Sequence, residues 1–135
     1  MNTERLVEQF VARTLPKSEW THHAHLQVGL WHVLEHGPDD ALRLLRGRIR
    51  AYNEATGGVN SDQSGYHETI TRFYVQRIAW FLRQRDAAAP IDELAEALIA
   101  ELGDKRLLRE FYSRERFESA AARREWVEPD LRPLE

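Results

Sequence analysis

The sequence predicts an all-α fold, a single-domain bundle of five or six helices spanning residues 1–135, on three observations. Apolar residues recur at helical spacing along most of the chain, and alternating patterns of strand length are missing. The chain has 135 residues, 42% of them hydrophobic, which is the ordinary size of one domain with its own core. Neither an internal repeat nor a linker divides it.

Each element is justified in turn by its pattern and its ends. Thr3 is the expected cap of a first helix that turns Leu6, Phe10 and Val11 inward, and Pro16 interrupts it by disfavouring helical geometry at Leu15. Thr21 is the expected cap of a second helix, which Gly37 ends; its apolar residues lie on more than one face, as suits the middle of a bundle. Pro38 opens a third helix, with Asp39 and Asp40 in its first turn, and "TGG" stops it. The polar loop "GGVNSDQSG" follows. Ser61 or Ser64 is expected to cap a long fourth helix that carries Tyr66, Ile70, Phe73, Arg77 and Phe81 on one stripe. A helix over 91–102 and another after the capping residue Asp104 come next, and the tail holds one short helical turn and an extended segment.

Composition narrows the function. Against 22 acidic residues stand 19 basic ones, so a net charge of −3 gives no general attraction to nucleic acid or an anionic membrane, and neither is an expected partner. The run "RLLRGRIR" has Leu and Ile interleaved at helical spacing and reads as a solvated arginine face. No window approaches the roughly 18 apolar residues of a membrane span, and the charged start is unlike a signal peptide, so a cytoplasmic location is expected. Cysteine is absent, which removes disulfides and thiol chemistry.

Five of the six histidines fall in "WTHHAHLQVGLWHVLEH", residues 20–36, and the sixth in "GYHETIT". At about 1.5 Å of rise per residue, His22 and His25 are close enough along the axis to share an ion, whereas His22 and His32, roughly 15 Å apart, are not. His32 reads as a packed core histidine and His36 as a surface residue near a helix end. Two imidazoles are too few for a tight site, so the expected metal centre is mononuclear and built from His22, His25 and His67. Glu68 is assigned as a fourth ligand or as the catalytic general base acting on metal-bound water. Zinc is the default ion, with nickel and iron suited to the same donors. The implied activity is that of a metal-dependent hydrolase or lyase acting on a small polar molecule.

Trp20 and Tyr66 directly precede the histidines and are expected to wall a substrate pocket, with Asn53 and Asn60 beside the polar loop as further contacts. The rival reading is a non-catalytic module that holds a small anion or a partner protein at the same two helix N-termini. A third is purely structural, with the histidines packed and hydrogen-bonded. A homodimer is compatible with the aromatic residues Trp80 and Trp126.

The segments "WTHHAHL" and "GYHETITRFYV" resemble those of a family of small uncharacterised bacterial helical proteins, marked by T-H-x-x-H then Leu or Val, and by Y-H-E-T, Ile or Leu, then Thr. The likeness is clearest over residues 20–80, and "FYSRERFESAAARREWVEPDLRPL" resembles the family's C-terminal end. The resemblance implies that Thr21, His22, His25, Leu26, Tyr66, His67, Glu68 and Thr69 form one unit, and it supplies no reaction. Familiar metal motifs do not fit: H-E-x-x-H requires a histidine where Thr71 stands, and the two Glu-x-x-His motifs of a di-iron bundle are not present, since His22 alone follows a glutamate, Glu19, by three positions.

Overall fold

The computed structural model describes residues 1–134 and is all-helical among them, a bundle as expected. Its α-helices are α1 (Thr3–Val11), α2 (His22–Ala55), α3 (Glu68–Arg83), α4 (Ile91–Leu102), α5 (Arg114–Phe117) and α6 (Ala120–Arg124). Short 3₁₀ turns at Lys17–Glu19 and Lys105–Glu110 join them. No described helix is long and apolar enough to cross a membrane.

Element α2 is two helices in all but name. Gly37 has φ 78° and ψ 163°, a conformation essentially confined to glycine, and Pro38 follows it. The chain therefore folds back, and residues 38–55 pack along residues 22–36 as the second arm of a hairpin. Leu26, Leu30 and Val33 on the first arm share one core with Ala41, Leu45 and Tyr52 on the second. His32 pins the arms together: its Nδ1–H donates to the Val28 carbonyl (2.7 Å), and its Nε2 accepts from Arg48 (2.8 Å). It is fully buried, as a core histidine should be.

Helix α3 lies against both arms through Val75, Ile78 and Phe81, and α4 closes the same core with Leu94, Leu98 and Leu102. Gly29 makes the approach of α3 possible, since a Cβ there would stand 2.8 Å from Cδ1 of Ile78. A second cluster forms where Phe73 meets Leu108, Phe111 and Tyr112, with Phe117, Trp126 and Val127 against it. Trp126 is thus part of the packing, with the Arg72 guanidinium over its ring, while Trp80 is 47% exposed.

Several ends match the local signals and two do not. Thr21 caps α2 by accepting from the Ala24 N–H, and Asp104 caps the turn after α4 by accepting from the Arg106 N–H. The first helix is capped by Asn2, one residue before the expected Thr3, which is buried instead. Its N–H donates to Asp92 and its hydroxyl accepts from Gln27, joining α1 to α4 and α2. Neither Ser61 nor Ser64 caps α3, because the helix begins only at Glu68; His67 holds that position.

Candidate functional site

The two histidine-bearing segments do meet: the first contributes Trp20, His22 and His25 as expected, but the second contributes neither Tyr66, His67 nor Glu68. The N-terminal turns of α2 and the first two turns of α3 border a cavity of about 370 Å³, lined by Trp20, Thr21, His22 and His25 from the one and Ile70, Thr71 and Tyr74 from the other. Leu26, Leu45, Ile49, Val75 and Ile78 make its walls mostly apolar, and Lys105 stands at its edge.

His25 is fixed by its own helix start. Its Nδ1–H donates to the Thr21 carbonyl (2.6 Å), and its ring stacks on Trp20 at 3.7 Å, which in turn stacks on Phe10 at 4.6 Å. The proton on Nδ1 leaves Nε2 as a lone-pair acceptor. Surrounding protein lowers the pKa of the ring, opposed in part by the Thr21 carbonyl. The residue is nevertheless solvent-exposed, and water reaching the ring moderates that push. His22 donates through Nε2 to the Leu102 carbonyl (3.2 Å), and its ring meets the edge of Tyr74 at 5.3 Å. Partial burial lowers its pKa too, with that carbonyl opposing and His23 and Lys105 adding to the effect. Both rings are neutral at pH 7. Burial raises the Tyr74 hydroxyl to about 12, with Asp104 adding to it, so it stays protonated and able to donate.

His67 takes no part in this cavity. Its Nδ1 accepts the N–H of Ile70 (3.1 Å), capping α3, and its Nε2–H donates to the Phe117 carbonyl (2.5 Å) at the end of α5. Both ring nitrogens are committed, so no lone pair is left for an ion. The three-histidine arrangement expected from the sequence is not formed, and no group of three His, Asp or Glu able to hold a metal occurs among the described residues.

Glu68, expected to act as ligand or base, is held by Arg46 through two bonds (2.9 and 2.6 Å) and by the Tyr66 hydroxyl (2.7 Å). Burial alone would raise its pKa, but the bonds from Arg46 and Tyr66 outweigh it and pull the carboxyl below its ordinary value. A carboxylate so stabilised is a poor proton acceptor. Thr69 completes the segment by donating to the Glu125 carbonyl and accepting from the Val127 N–H. The "YHET" stretch is thus a clasp that fastens α2 and the C-terminal segment to the start of α3.

Of the expected substrate contacts only Trp20 lines the cavity. Tyr66 and Asn60 face a separate cleft with Arg50, Arg123 and Arg124, where the Arg50 guanidinium lies 4.9 Å from the Tyr66 ring centroid. Asn53 donates to Asn60, and Asn60 accepts from the Tyr66 N–H and donates to the Arg50 carbonyl, so both asparagines shape the polar loop. The chain matches no family model, no curated protein and no solved structure.

Lys105 was not legible as a site residue: beside Asp104 and Arg106 it looks like any surface lysine. Of the α3 residues that line the cavity, Ile70 lies on the stripe expected from the sequence; Tyr74 and Ile78 follow it at i+4 and i+8, on the same face of the helix.

Proposed function

We propose that the protein binds a small, mostly apolar molecule with one polar end in the cavity between the start of α2 and α3. The observation that carries this reading is the combination of apolar walls with a short polar rim of His25, Thr21, Thr71 and Tyr74. A volume of about 370 Å³ lies toward the lower end of the roughly 300–1,000 Å³ usual for small-molecule sites, which suits a ligand smaller than a nucleotide. Leu45, Ile49, Val75 and Ile78 would cover the apolar body, and the free Nε2 of His25 and the Tyr74 hydroxyl supply an acceptor and a donor for its polar end.

The test is a titration of isotopically labelled protein with 1-octanol, followed by amide chemical shifts. Shifts are expected at His25, Ile70, Thr71 and Ile78, and Ile49→Trp, which fills the cavity, should abolish them while the rest of the spectrum stays folded. Shifts confined to other residues, or unaffected by Ile49→Trp, overturn the reading.

A second reading retains the metal in reduced form, on His22 and His25 alone with the remaining positions open to water or substrate, as a metal-dependent hydrolase or lyase would require. The bond from His25 Nδ1–H to the Thr21 carbonyl favours it, since metal-bound imidazoles usually donate their other ring N–H in this way. Zinc, nickel or iron content of protein purified without a polyhistidine tag decides it: below about 0.2 equivalents, unchanged on adding each ion, leaves a two-histidine site no support.

A further inference from the structure

The charge on the cavity wall is one-sided. Among the lining residues Lys105 alone carries a formal charge at neutral pH, and no aspartate or glutamate lines the space. Neutral His22 and His25 add none, the pKa of each lying below its ordinary value.

Nor is Lys105 neutralised by its neighbours. The nearest carboxylate in sequence, Asp104, is occupied by the Arg106 side chain at 2.9 Å and by the Arg106 N–H at 2.9 Å. No ion pair of Lys105 within 4.0 Å is found among the described residues. The field of Asp104 reaches His22 and Tyr74 in the lining, but its charge is answered by Arg106. An ammonium at the rim of a largely apolar space, with no carboxylate in the lining, attracts an anion more strongly than the same group in open water, because the low-dielectric walls screen it less. The N-terminal turn of α2, with Thr21 and His22 in the same lining, adds partial positive charge from the helix dipole.

We propose that the molecule taken up by this cavity is a small organic acid, its carboxylate at Lys105 and its hydrocarbon body between α2 and α3. This rests on the cavity reading above and narrows it to a chemical class. A neutral molecule of the same body would bury the same surface but leave the ammonium unanswered; an amine would be repelled by it. A dianion gains less, since one cation faces the space.

Matched series separate the two claims: straight-chain carboxylates from butanoate to decanoate, and the corresponding 1-alkanols, titrated by amide shifts into the full chain and into Lys105→Gln at pH 7. Lys105 is exposed, so the substitution leaves the fold intact. The best carboxylate should bind about fivefold more tightly than its alcohol, the size expected of one partly solvated ion pair. Lys105→Gln should bring the acid to the level of the alcohol and leave the alcohol unchanged, and raising salt should weaken the acid alone. If alcohols bind as well as acids, or Lys105→Gln leaves the acid unaffected, the acid proposal fails while the cavity reading stands. If neither series binds, the cavity reading fails and the proposal with it.

Discussion

At the scale of single residues, two histidines with the same apparent credentials part ways because of what their second nitrogen meets. His25 spends one nitrogen on its own helix start and keeps the other; His67 spends both, on the Ile70 N–H and the Phe117 carbonyl. His67→Ala should therefore act on stability and not on binding. It removes a helix cap and a tie between α3 and α5, an expected loss of about 2–3 kcal/mol, read as a lower urea midpoint, with octanoate affinity within about twofold of the parent. A large loss of binding at unchanged stability would return His67 to the site. Glu68 is the same case with a charge: Glu68→Gln leaves Arg46 facing an amide, so it should lower stability while leaving the cavity's ligand in place. The distant half of each role was not legible in the sequence, because its partner lies far along the chain, Phe117 fifty positions after His67 and Arg46 twenty-two before Glu68. The His67 cap on Ile70 is local, but serine, threonine, aspartate and asparagine are the residues that ordinarily mark a cap. Thr21 and Asp104 were legible as caps, since a cap acts within three residues.

At the scale of elements, the hairpin of α2 decides where everything else sits. Glycine then proline marks the reversal in the sequence, and the structure adds the reason that glycine is needed: φ 78° with ψ 163° is a region closed to side chains. Gly37→Ala should cost about 1–3 kcal/mol and loosen the bond between His32 and Arg48, which spans the two arms; the measurements are the unfolding midpoint and hydrogen exchange of the Arg48 side chain. Gly29→Ala tests the other close approach. Its new Cβ would meet only the far end of the Ile78 side chain, and Ile78 borders the cavity, so the δ-methyl can swing into that space. Stability should stay within about 1 kcal/mol, helix propensity gained offsetting the repacking, while affinity for octanol or octanoate falls because the volume has been taken. Helix existence and most boundaries follow from local pattern. Which face of α3 meets α2 was only half readable: of the expected stripe, Ile70 and Phe81 do face α2, but Phe73 packs on Phe111 and Tyr112, and His67 and Thr69 are turned toward the C-terminal segment while Glu68 turns to Arg46.

At the scale of the whole molecule, burying histidines in their neutral form makes the fold sensitive to acid in a definite window. His32 is the clearest case: burial pushes its pKa to about 4, the Val28 carbonyl opposing, with Arg48 and His36 adding to the fall. His22, His25 and His67 shift in the same direction, burial being the largest cause for each. A histidine whose pKa is lower folded than unfolded binds more protons in the unfolded state. Its contribution is therefore fully present above the unfolded value of 6.5 and is lost as pH falls toward about 4. For His32 alone that difference corresponds to roughly 3 kcal/mol. Glu68 adds a later stage, because its pKa is lowered on folding: its share holds above the ordinary value of 4.5 and disappears only as pH falls through the folded value. Urea midpoints measured from pH 8 to pH 4 should be level at the alkaline end and decline below about 6.5. In His32→Gln the midpoint at pH 8 should be lower, since the bonds to Val28 and Arg48 change, but the decline should be shallower by up to one proton's worth of slope. That pairing separates titration from mere damage: a variant that is less stable yet falls just as steeply, or a parent that stays level down to pH 4.5, would show that the buried imidazoles do not set the acid limit of this fold.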